Sequence, residues 1–186
     1  MTDHGYEQNQ QMVHMVFDCE PTSGAGLIRV KIEMNVREVQ HVGEIIEIPY
    51  EVKSGWWEGS AGIQTFTPEE LLSTKVRALY QRRKGRDLFD IWLALTSLDL
   101  NDERVMDCLR RYLGPEAFGY QDLVRNLRDK IARSGFRTDL DQLLVERPVD
   151  YGLDEAADLV MERLGARLPG APPIREIEHG AWRQPP

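Results

Sequence analysis

The sequence predicts an α+β fold, in which a small β-sheet of N-terminal strands is followed by a helical, bundle-like C-terminal region. Within residues 27–37, apolar and polar side chains alternate strictly, which is the period of a β-strand. After residue 62, apolar residues recur instead every three or four positions, which is the period of a helix. The composition is that of a folded protein, since 41% of the 186 residues are hydrophobic and 29% are charged.

Four segments follow one another along the chain. Residues 1–11 are polar and are predicted to be disordered. Residues 12–62 carry the strands, and residues 63–167 carry the helices. Residues 168–186 contain five prolines and are predicted to form an unfolded tail.

Three strands are expected in the first half of the chain. Residues 12–18 are rich in strand-forming side chains, and residues 44–52 form a further strand with Pro49 near its end, which suggests an edge of the sheet. The clearest strand is residues 27–37, because its apolar and polar side chains alternate strictly. Its other face is highly charged. The predicted buried face consists of Ile28, Val30, Ile32, Met34 and Val36.

The first helix is expected to begin at a capping box. Thr67 is its N-cap, Pro68 is its first residue, and Glu70 is placed to bond back to the amide of the cap. The helix is expected to run to about residue 83 and to end at Gly85 in a left-handed conformation. Further helices are predicted to begin near Arg86 and to occupy residues 102–113, 120–134, 136–146 and 153–166.

Composition and charge exclude several classes of protein. No apolar run approaches the roughly 20 residues that span a bilayer, and the first twenty residues lack the apolar stretch of a signal peptide. Cys19 and Cys108 are too few for a disulfide scaffold. The net charge of −8 argues against a protein that coats nucleic acid. The sequence therefore predicts a cytoplasmic protein with no membrane partner.

Lys75 is the most informative residue of the first helix. It is expected on the apolar face, because residues three and four positions away share its face. An unpaired buried ammonium is costly, so this side chain must reach solvent, pair with a carboxylate or hold an anion. The neighbours that define this face are Leu71, Leu72, Ala78 and Leu79.

A basic segment follows Lys75. Residues 75–86 contain six basic residues and no acidic one, with Arg82, Lys84 and Arg86 around the predicted turn. Guanidinium groups clustered at the start of a helix suit the binding of phosphate. The alternative is a solvated basic turn, which is the commoner role of such a run.

Asp87 and Asp90 stand in the first turn of the second helix. Carboxylates there meet the helix dipole favourably, and Asp90 is also spaced to pair with Arg86. A functional alternative combines these carboxylates with the basic segment and Lys75. Such a set is suited to a metal-bound phosphate, because carboxylates hold Mg²⁺ and cations hold phosphate oxygens.

These residues form one long motif, Lys75-x-x-Ala78-Leu79-x-x-Arg82-x-Lys84-x-Arg86-Asp87-Leu88-Phe89-Asp90-Ile91-Trp92. The motif resembles the signature of the AbiEii/AbiGii family of nucleotidyltransferase toxins. The similarity is sharp over residues 66–92 and extends loosely over residues 12–165. The strand at residues 32–35 is also similar to one in the family, so residues 12–62 are interpreted as the remnant of a nucleotidyltransferase sheet.

The resemblance implies a toxin of a bacterial toxin–antitoxin or abortive-infection system. Such a toxin uses an NTP and Mg²⁺, transfers nucleotides to RNA, with tRNA as the expected acceptor, and has a cognate antitoxin. By position, Lys75 would contact the NTP phosphates and Asp87 would act close to it. Glu33 would match the third catalytic carboxylate of the DNA polymerase β-like core and would bind metal. The phosphate-binding residues would be Arg82, Lys84 and Arg86, with Asp90 in support.

One part of the family pattern is missing. The Gly-Ser turn and the Asp-x-Asp pair that bind the NTP and Mg²⁺ in this family have no match ahead of residues 27–37. The Asp-x-Asp at residues 139–141 stands in the wrong place and is expected to face solvent. The chain is therefore expected to be the C-terminal part of a family member, with the missing segment lost or carried by a separate N-terminal catalytic fragment.

Three hypotheses remain open on the sequence. The first is an enzyme, an NTP- and Mg²⁺-dependent nucleotidyltransferase toxin that acts on RNA. The second is a catalytically inactive remnant that binds RNA or an antitoxin. The third is a protein that keeps the fold without the function, in which Lys75 reaches solvent and Asp87 only favours the start of its helix.

Overall fold

A computed structural model of the chain describes residues 2–8, 12–22, 24, 26–35, 41–114, 117–146, 148 and 150–183. These residues form an α+β protein, with two antiparallel sheets in the N-terminal part and helices after them. This arrangement confirms the predicted fold class. The chain divides into two compact units, Met1–His41 and Val42–Pro186.

The first unit is a three-stranded antiparallel sheet. Its strands, in spatial order, are β1 (Thr2–Gln8), β2 (Met12–Cys19) and β3 (Ile28–Asn35). Strands β2 and β3 confirm the predictions for residues 12–18 and 27–37, of which residues 36 and 37 lie outside the described part. The prediction that residues 1–11 are disordered is wrong for β1. That strand is polar, and its pairing with β2 leaves no signal in its own hydropathy.

The apolar side chains of β3 are more exposed than their alternation predicts. Ile28, Val30, Ile32 and Met34 are each 41–54% exposed. The alternation therefore identifies the strand correctly but not the burial of its apolar face. A periodic pattern shows which residues share a face, and it does not show what covers that face.

The second unit begins with a β-hairpin. Strands β4 (Ile45–Lys53) and β5 (Glu58–Phe66) pair antiparallel, and the Ser54 hydroxyl in the turn donates to the Trp57 carbonyl over 2.8 Å. Strand β4 confirms the prediction for residues 44–52. Strand β5 is absent from the prediction because it contains glycines. The indole ring of Trp57 lies against the backbone at Gly59, in the way that an aromatic ring stabilises a strand glycine.

Six α-helices follow among the described residues. Five of them confirm the predicted positions to within a few residues, whereas the helix expected at residues 136–146 is limited to four residues and continues as turns. None of the helices in the described part combines the length and the apolar character needed to cross a membrane. The helices are α1 (Pro68–Gln81), α2 (Gly85–Ser97), α3 (Asp102–Leu113), α4 (Tyr120–Ile131), α5 (Ser134–Arg137) and α6 (Leu153–Arg163).

The core of the second unit is formed by the apolar faces of these helices. Leu79 of α1, Ile91 of α2 and Val160 of α6 are fully buried in it, together with side chains from α3 and α4. Helices α1 and α2 follow each other directly and both contribute to this core. Apolar residues of the motif, among them Leu79, Leu88 and Ile91, therefore belong to this core.

Glu70 anchors the start of α1 to the segment before the hairpin. The Thr67 hydroxyl accepts a hydrogen bond from the Glu70 amide over 3.4 Å, as expected for an N-cap. The predicted bond from the Glu70 side chain back to the cap is wrong. Its fully buried carboxylate instead accepts from the Val42 amide over 2.7 Å, the Gly43 amide over 2.8 Å and the Tyr112 hydroxyl over 2.5 Å. These three donors satisfy a charge that would be costly to bury alone.

The proline-rich tail is folded where the structure describes it. Short 3₁₀ helices occupy Gly165–Arg167, Ile174–Glu176 and Glu178–Arg183, and Leu168, Ile177 and Trp182 are buried. The Trp182 indole donates to Asp158 of α6 over 2.8 Å. The prediction of an unfolded tail for residues 168–186 is therefore wrong up to residue 183. Widely spaced apolar side chains are enough to dock the tail, although its prolines prevent long helices.

Candidate functional site

The connection between α1 and α2 is short and tightly packed. Helix α1 ends at Gln81, and Arg82 and Lys84 are extended before α2 begins at Gly85. The predicted left-handed conformation of Gly85 is wrong, because its φ is not positive. Gly85 is instead required by a close approach, since a Cβ there would lie 2.1 Å from the carbonyl oxygen of Phe136.

A buried ion pair joins the two ends of this connection. The guanidinium of Arg82 donates to both oxygens of Asp87, over 2.7 Å from Nε and 2.6 Å from Nη2. The Asp87 side chain is 0% exposed, whereas that of Arg82 is half exposed. The hydrogen bonds to Asp87 raise the pKa of Arg82 above its usual range. The pair therefore fixes the start of α2 to the end of α1.

A second ion pair joins α1 and α2 nearer the surface. The Lys75 ammonium lies 2.7 Å from Oδ2 of Asp90, and the two side chains are 44% and 38% exposed. Two of the alternatives for Lys75 are observed together, since the side chain reaches solvent and its ammonium pairs with a carboxylate. The apolar face around Lys75 is also less buried than predicted, because Leu71 is exposed. Asp90 pairs with Lys75 across the two helices and not with Arg86 along its own helix.

Asp139 contacts the connection from the turn after α5. Its carboxylate accepts from the Arg86 amide over 3.2 Å and lies 3.8 Å from the Lys84 ammonium. The expectation that the Asp-x-Asp at residues 139–141 faces solvent is wrong for Asp139, whose side chain is mostly buried. No hydrogen bond or ion pair joins the guanidinium of Arg83 or of Arg86 to another of the described residues. These two cations remain available for an anion.

Glu33 lies in the first unit, on β3. Its carboxylate is half exposed and lies 2.6 Å from the Lys31 ammonium and 3.3 Å from Nδ1 of His14. The hydrogen bond from Lys31 lowers the pKa of Glu33 below its usual value. The structure therefore brings Lys75, Asp87 and the basic segment together within the second unit, and gives Glu33 partners of its own in the first.

A metal centre is not formed by the described carboxylates. Among residues that the structure describes, no group of three or more His, Cys, Asp or Glu side chains is arranged to hold a metal ion. Asp87 is bound on both oxygens by Arg82, and Asp90 is bound by Lys75. The residues present in this part of the chain therefore do not fit a Mg²⁺ site.

The sequence analysis missed Lys130 of α4. Its ammonium is buried and donates to the main-chain carbonyls of Leu79 and Tyr80 at the end of α1. Burial lowers its pKa to about 8. The pattern that singled out Lys75 also applies here, because Lys130 falls on the same helical face as the buried Leu123 and Leu127.

The fold and this site together define the class of protein. It is an α+β protein with a cluster of basic side chains around the connection between its first two helices. The sequence model described as nucleotidyl transferase AbiEii toxin, type IV toxin–antitoxin system, matches residues 3–163. Because the match covers most of the chain, the protein belongs to the AbiEii family of nucleotidyltransferase toxins. This confirms the resemblance drawn from residues 66–92. No curated protein and no solved structure matches the chain.

Proposed function

We propose that the connection between α1 and α2 binds the phosphates of an NTP and that the protein transfers a nucleotide to RNA, with tRNA as the expected acceptor. Membership of the AbiEii family supports the nucleotidyltransferase activity, a nucleotide substrate and an antitoxin as partner. The observation that carries the proposed site is the set of accessible cations around one connection, namely Lys75, Arg83, Lys84 and Arg86.

Lys75 is assigned to the phosphates because its present partner is easily exchanged. An ion pair with both side chains well exposed contributes about 0–1 kcal/mol, so a phosphate oxygen can replace the Asp90 carboxylate at little cost. Arg86 and Lys84 flank the start of α2, where the Arg86 amide already donates to Asp139. A phosphate bound there would therefore be held by side-chain cations, chiefly those of Lys75, Arg83 and Arg86.

Arg82 and Asp87 have a different role in this proposal. Both oxygens of Asp87 are occupied by Arg82, and the carboxylate has no access to solvent. Asp87 contacts a substrate only if Arg82 releases it. We therefore infer that the pair acts chiefly by holding the connection in place, and that Asp87 as a reacting group remains a prediction from the family motif.

The use of a divalent metal ion is supported only by membership of the family. Nucleotidyltransferases of this kind use an NTP with a divalent ion, and the described carboxylates do not provide its ligands. Glu33 as a metal ligand and catalytic carboxylate is likewise a prediction, which rests on the resemblance of residues 32–35 to a strand of the family. No step of the reaction is assigned to the metal here.

A second candidate function is a binding module without catalytic activity. It is favoured by the absence of a carboxylate cluster among the described residues, in which Arg82 occupies Asp87 and Lys75 occupies Asp90. In this case the same cations would bind RNA or an antitoxin, and no nucleotide would be transferred.

The deciding experiment measures binding and transfer separately on the full chain. Binding of a labelled NTP with Mg²⁺ is measured by equilibrium dialysis, and transfer is measured as label incorporated into total bacterial RNA. Lys75→Ala is expected to abolish both, while Lys53→Ala is the control, because Lys53 is an exposed lysine of the hairpin paired with Glu51. Binding without transfer would establish the binding module. Absence of binding by the unchanged chain would refute the proposed site.

A further inference from the structure

The end of α1 carries carbonyl groups that need partners from outside the helix. The last turn of a helix leaves main-chain carbonyls without intrahelical donors and carries a partial negative charge. Helix α1 has no basic residue in its last turn that could compensate this charge. The Arg82 amide bonds to the Ala78 carbonyl, which leaves the carbonyls of Leu79 and Tyr80 to other donors.

Helix α4 supplies those donors. The Lys130 ammonium donates to the carbonyls of Leu79 and Tyr80, over 2.9 Å in the second case, and the Asn126 amide donates to Tyr80 over 3.0 Å. The Lys130 side chain is almost completely buried, with 3% of the residue exposed. A lysine in the interior without a bonded carboxylate is rare, because the charge loses its hydration. Here the helix end provides the compensating negative charge.

This buried ammonium lies directly behind the proposed phosphate site. The capped carbonyl of Leu79 is one helical turn beyond Lys75, and Tyr80 is two residues before Arg82. Two charged groups of the connection act on Lys130 electrostatically, Asp87 favourably and Arg83 unfavourably. The main chain that leads into the basic segment is therefore fixed from the interior side by α4, and from the other side by the pair of Arg82 and Asp87.

We propose that Lys130 is a positioning residue of this site, which holds the end of α1 so that Lys75 and the basic segment face one phosphate group. The proposal rests on the proposed function for the identity of the ligand. Its structural part, that Lys130 fixes residues 79–87, does not depend on the ligand. Lys130 itself is shielded from solvent and contacts no substrate.

A purely structural lysine makes different predictions from a positioning residue. A structural role lowers stability and leaves the affinity of the folded protein for NTP unchanged. A positioning role lowers that affinity even where the variant is fully folded, because the cations are no longer held in one arrangement. The two roles are therefore separated by measuring affinity well below the unfolding temperature of each variant.

The experiment compares the full chain with Lys130→Met, which keeps the size of the side chain and removes its charge and donors. Arg125→Met is the matched control, because Arg125 is an exposed cation on the same helix that pairs with Asp122. Hydrogen exchange of main-chain amides is measured for residues 79–87 and, as a reference, for α3. Dissociation constants are measured for ATP and GTP with Mg²⁺.

The expected result is faster exchange at residues 79–87 in Lys130→Met, unchanged exchange in α3, and NTP binding about tenfold weaker, the usual scale for residues that orient a binding site. Arg125→Met is expected to match the unchanged protein in both measurements. Unchanged exchange at residues 79–87, or unchanged affinity despite faster exchange, would overturn the proposal.

The failure of the proposed function is recognised independently. If the unchanged chain binds no NTP, the proposed function fails, and the exchange measurement still decides whether Lys130 holds the connection. If Lys130→Met does not fold, Asn126→Ala replaces it, because this change removes one donor to the Tyr80 carbonyl and leaves the ammonium in place. Asn126→Ala is expected to speed exchange at residues 79–87 and to weaken NTP binding, in both cases less than Lys130→Met. If neither measurement changes, the proposal is overturned.

Discussion

The two ion pairs that join α1 to α2 use the same chemistry in different surroundings. Arg82 binds Asp87 and Lys75 binds Asp90, with closest distances of 2.6 Å and 2.7 Å. The carboxylate of Asp87 is completely buried, whereas that of Asp90 is more than one-third exposed. The distances are nearly equal, so the two pairs are distinguished by the burial of the carboxylate and by the two hydrogen bonds that Arg82 makes where Lys75 makes one.

Burial determines what each pair can do. A charge in the interior cannot lose its partner without a large penalty, whereas a charge near solvent exchanges its partner for water or for another ion. We therefore interpret the Arg82 and Asp87 pair as a fixed element of the fold. The Lys75 and Asp90 pair is the one that a substrate can open.

Breaking the buried pair is expected to have the largest effect on stability. Arg82→Met leaves the Asp87 carboxylate in the interior without its bidentate partner, which should lower the free energy of unfolding by about 3–5 kcal/mol. Urea denaturation followed by circular dichroism measures this change. The double variant Arg82→Met/Asp87→Leu is the control and should recover most of the loss. A loss below about 1 kcal/mol would contradict the fixed role of the pair.

Substitution of Gly85 tests the close packing of the start of α2 against Phe136. In Gly85→Ala the new Cβ meets the carbonyl oxygen of Phe136, which belongs to the main chain and cannot rotate away as a side chain can. The expected loss is about 3 kcal/mol, at the upper end for overpacking. Gly135→Ala is the control, because nothing lies near a Cβ at that position. Equal thermal midpoints for the two variants would show that α5 shifts at little cost to make room for the added methyl group.

Lys130 adds a third, more deeply buried cation to the comparison and makes stability depend on pH. Its pKa is about 8 in the folded protein against a usual 10.5, so the unfolded chain retains the proton at higher pH than the folded one. Stability is therefore expected to rise as the pH increases from 8 towards 10.5. Between pH 7.5 and 9.5 the gain should be about 2 kcal/mol.

The measurement is the difference in unfolding free energy between the unchanged chain and Lys130→Met at each pH. This difference removes the contribution of other groups, such as Cys108, whose pKa is raised by burial and which acts in the opposite direction above about pH 9. A pH-independent difference would show that the ammonium keeps its ordinary pKa in the folded protein.

The exposed pair should matter least for stability and most for function. Lys75→Ala is expected to change the free energy of unfolding by less than about 1 kcal/mol, with a smaller difference still in high salt. The same change should abolish NTP binding if the proposed function is correct. Isothermal titration with NTP and urea denaturation on one preparation measure both quantities. A stability loss like that of Arg82→Met would remove the distinction between the two pairs.

The sequence is sufficient to predict the helical part of the fold and the composition of the site. Helix α1 is identified by its N-cap at Thr67, and Asp87 and Lys75 are identified by position in a long motif. These features are local, since each depends on residues within a few turns of one another. The alternation of β3 is local in the same sense, and it identifies the strand.

The features that the sequence does not predict depend on the partner that each residue meets in the folded chain. Strand β1 exists because it pairs with β2, and the bidentate bond between Arg82 and Asp87 depends on an extended connection that no local rule specifies. Glu70 fits a capping box by spacing, yet its carboxylate binds amides 27 and 28 residues away. Local patterns therefore name the charged residues correctly and leave their partners undetermined.

The anchoring of main-chain amides by Glu70 has a consequence for how the protein can change during evolution. The Glu70 carboxylate binds main-chain amides, and this contact does not depend on the side chains of the residues that provide them. The side chain at position 42 can therefore vary without loss of the contact. Gly43 can vary less freely, because a Cβ there would lie 3.1 Å from the carboxylate. Position 42 can therefore diverge in sequence wherever its residue keeps a main-chain N–H, as long as an acidic residue at position 70 is inherited.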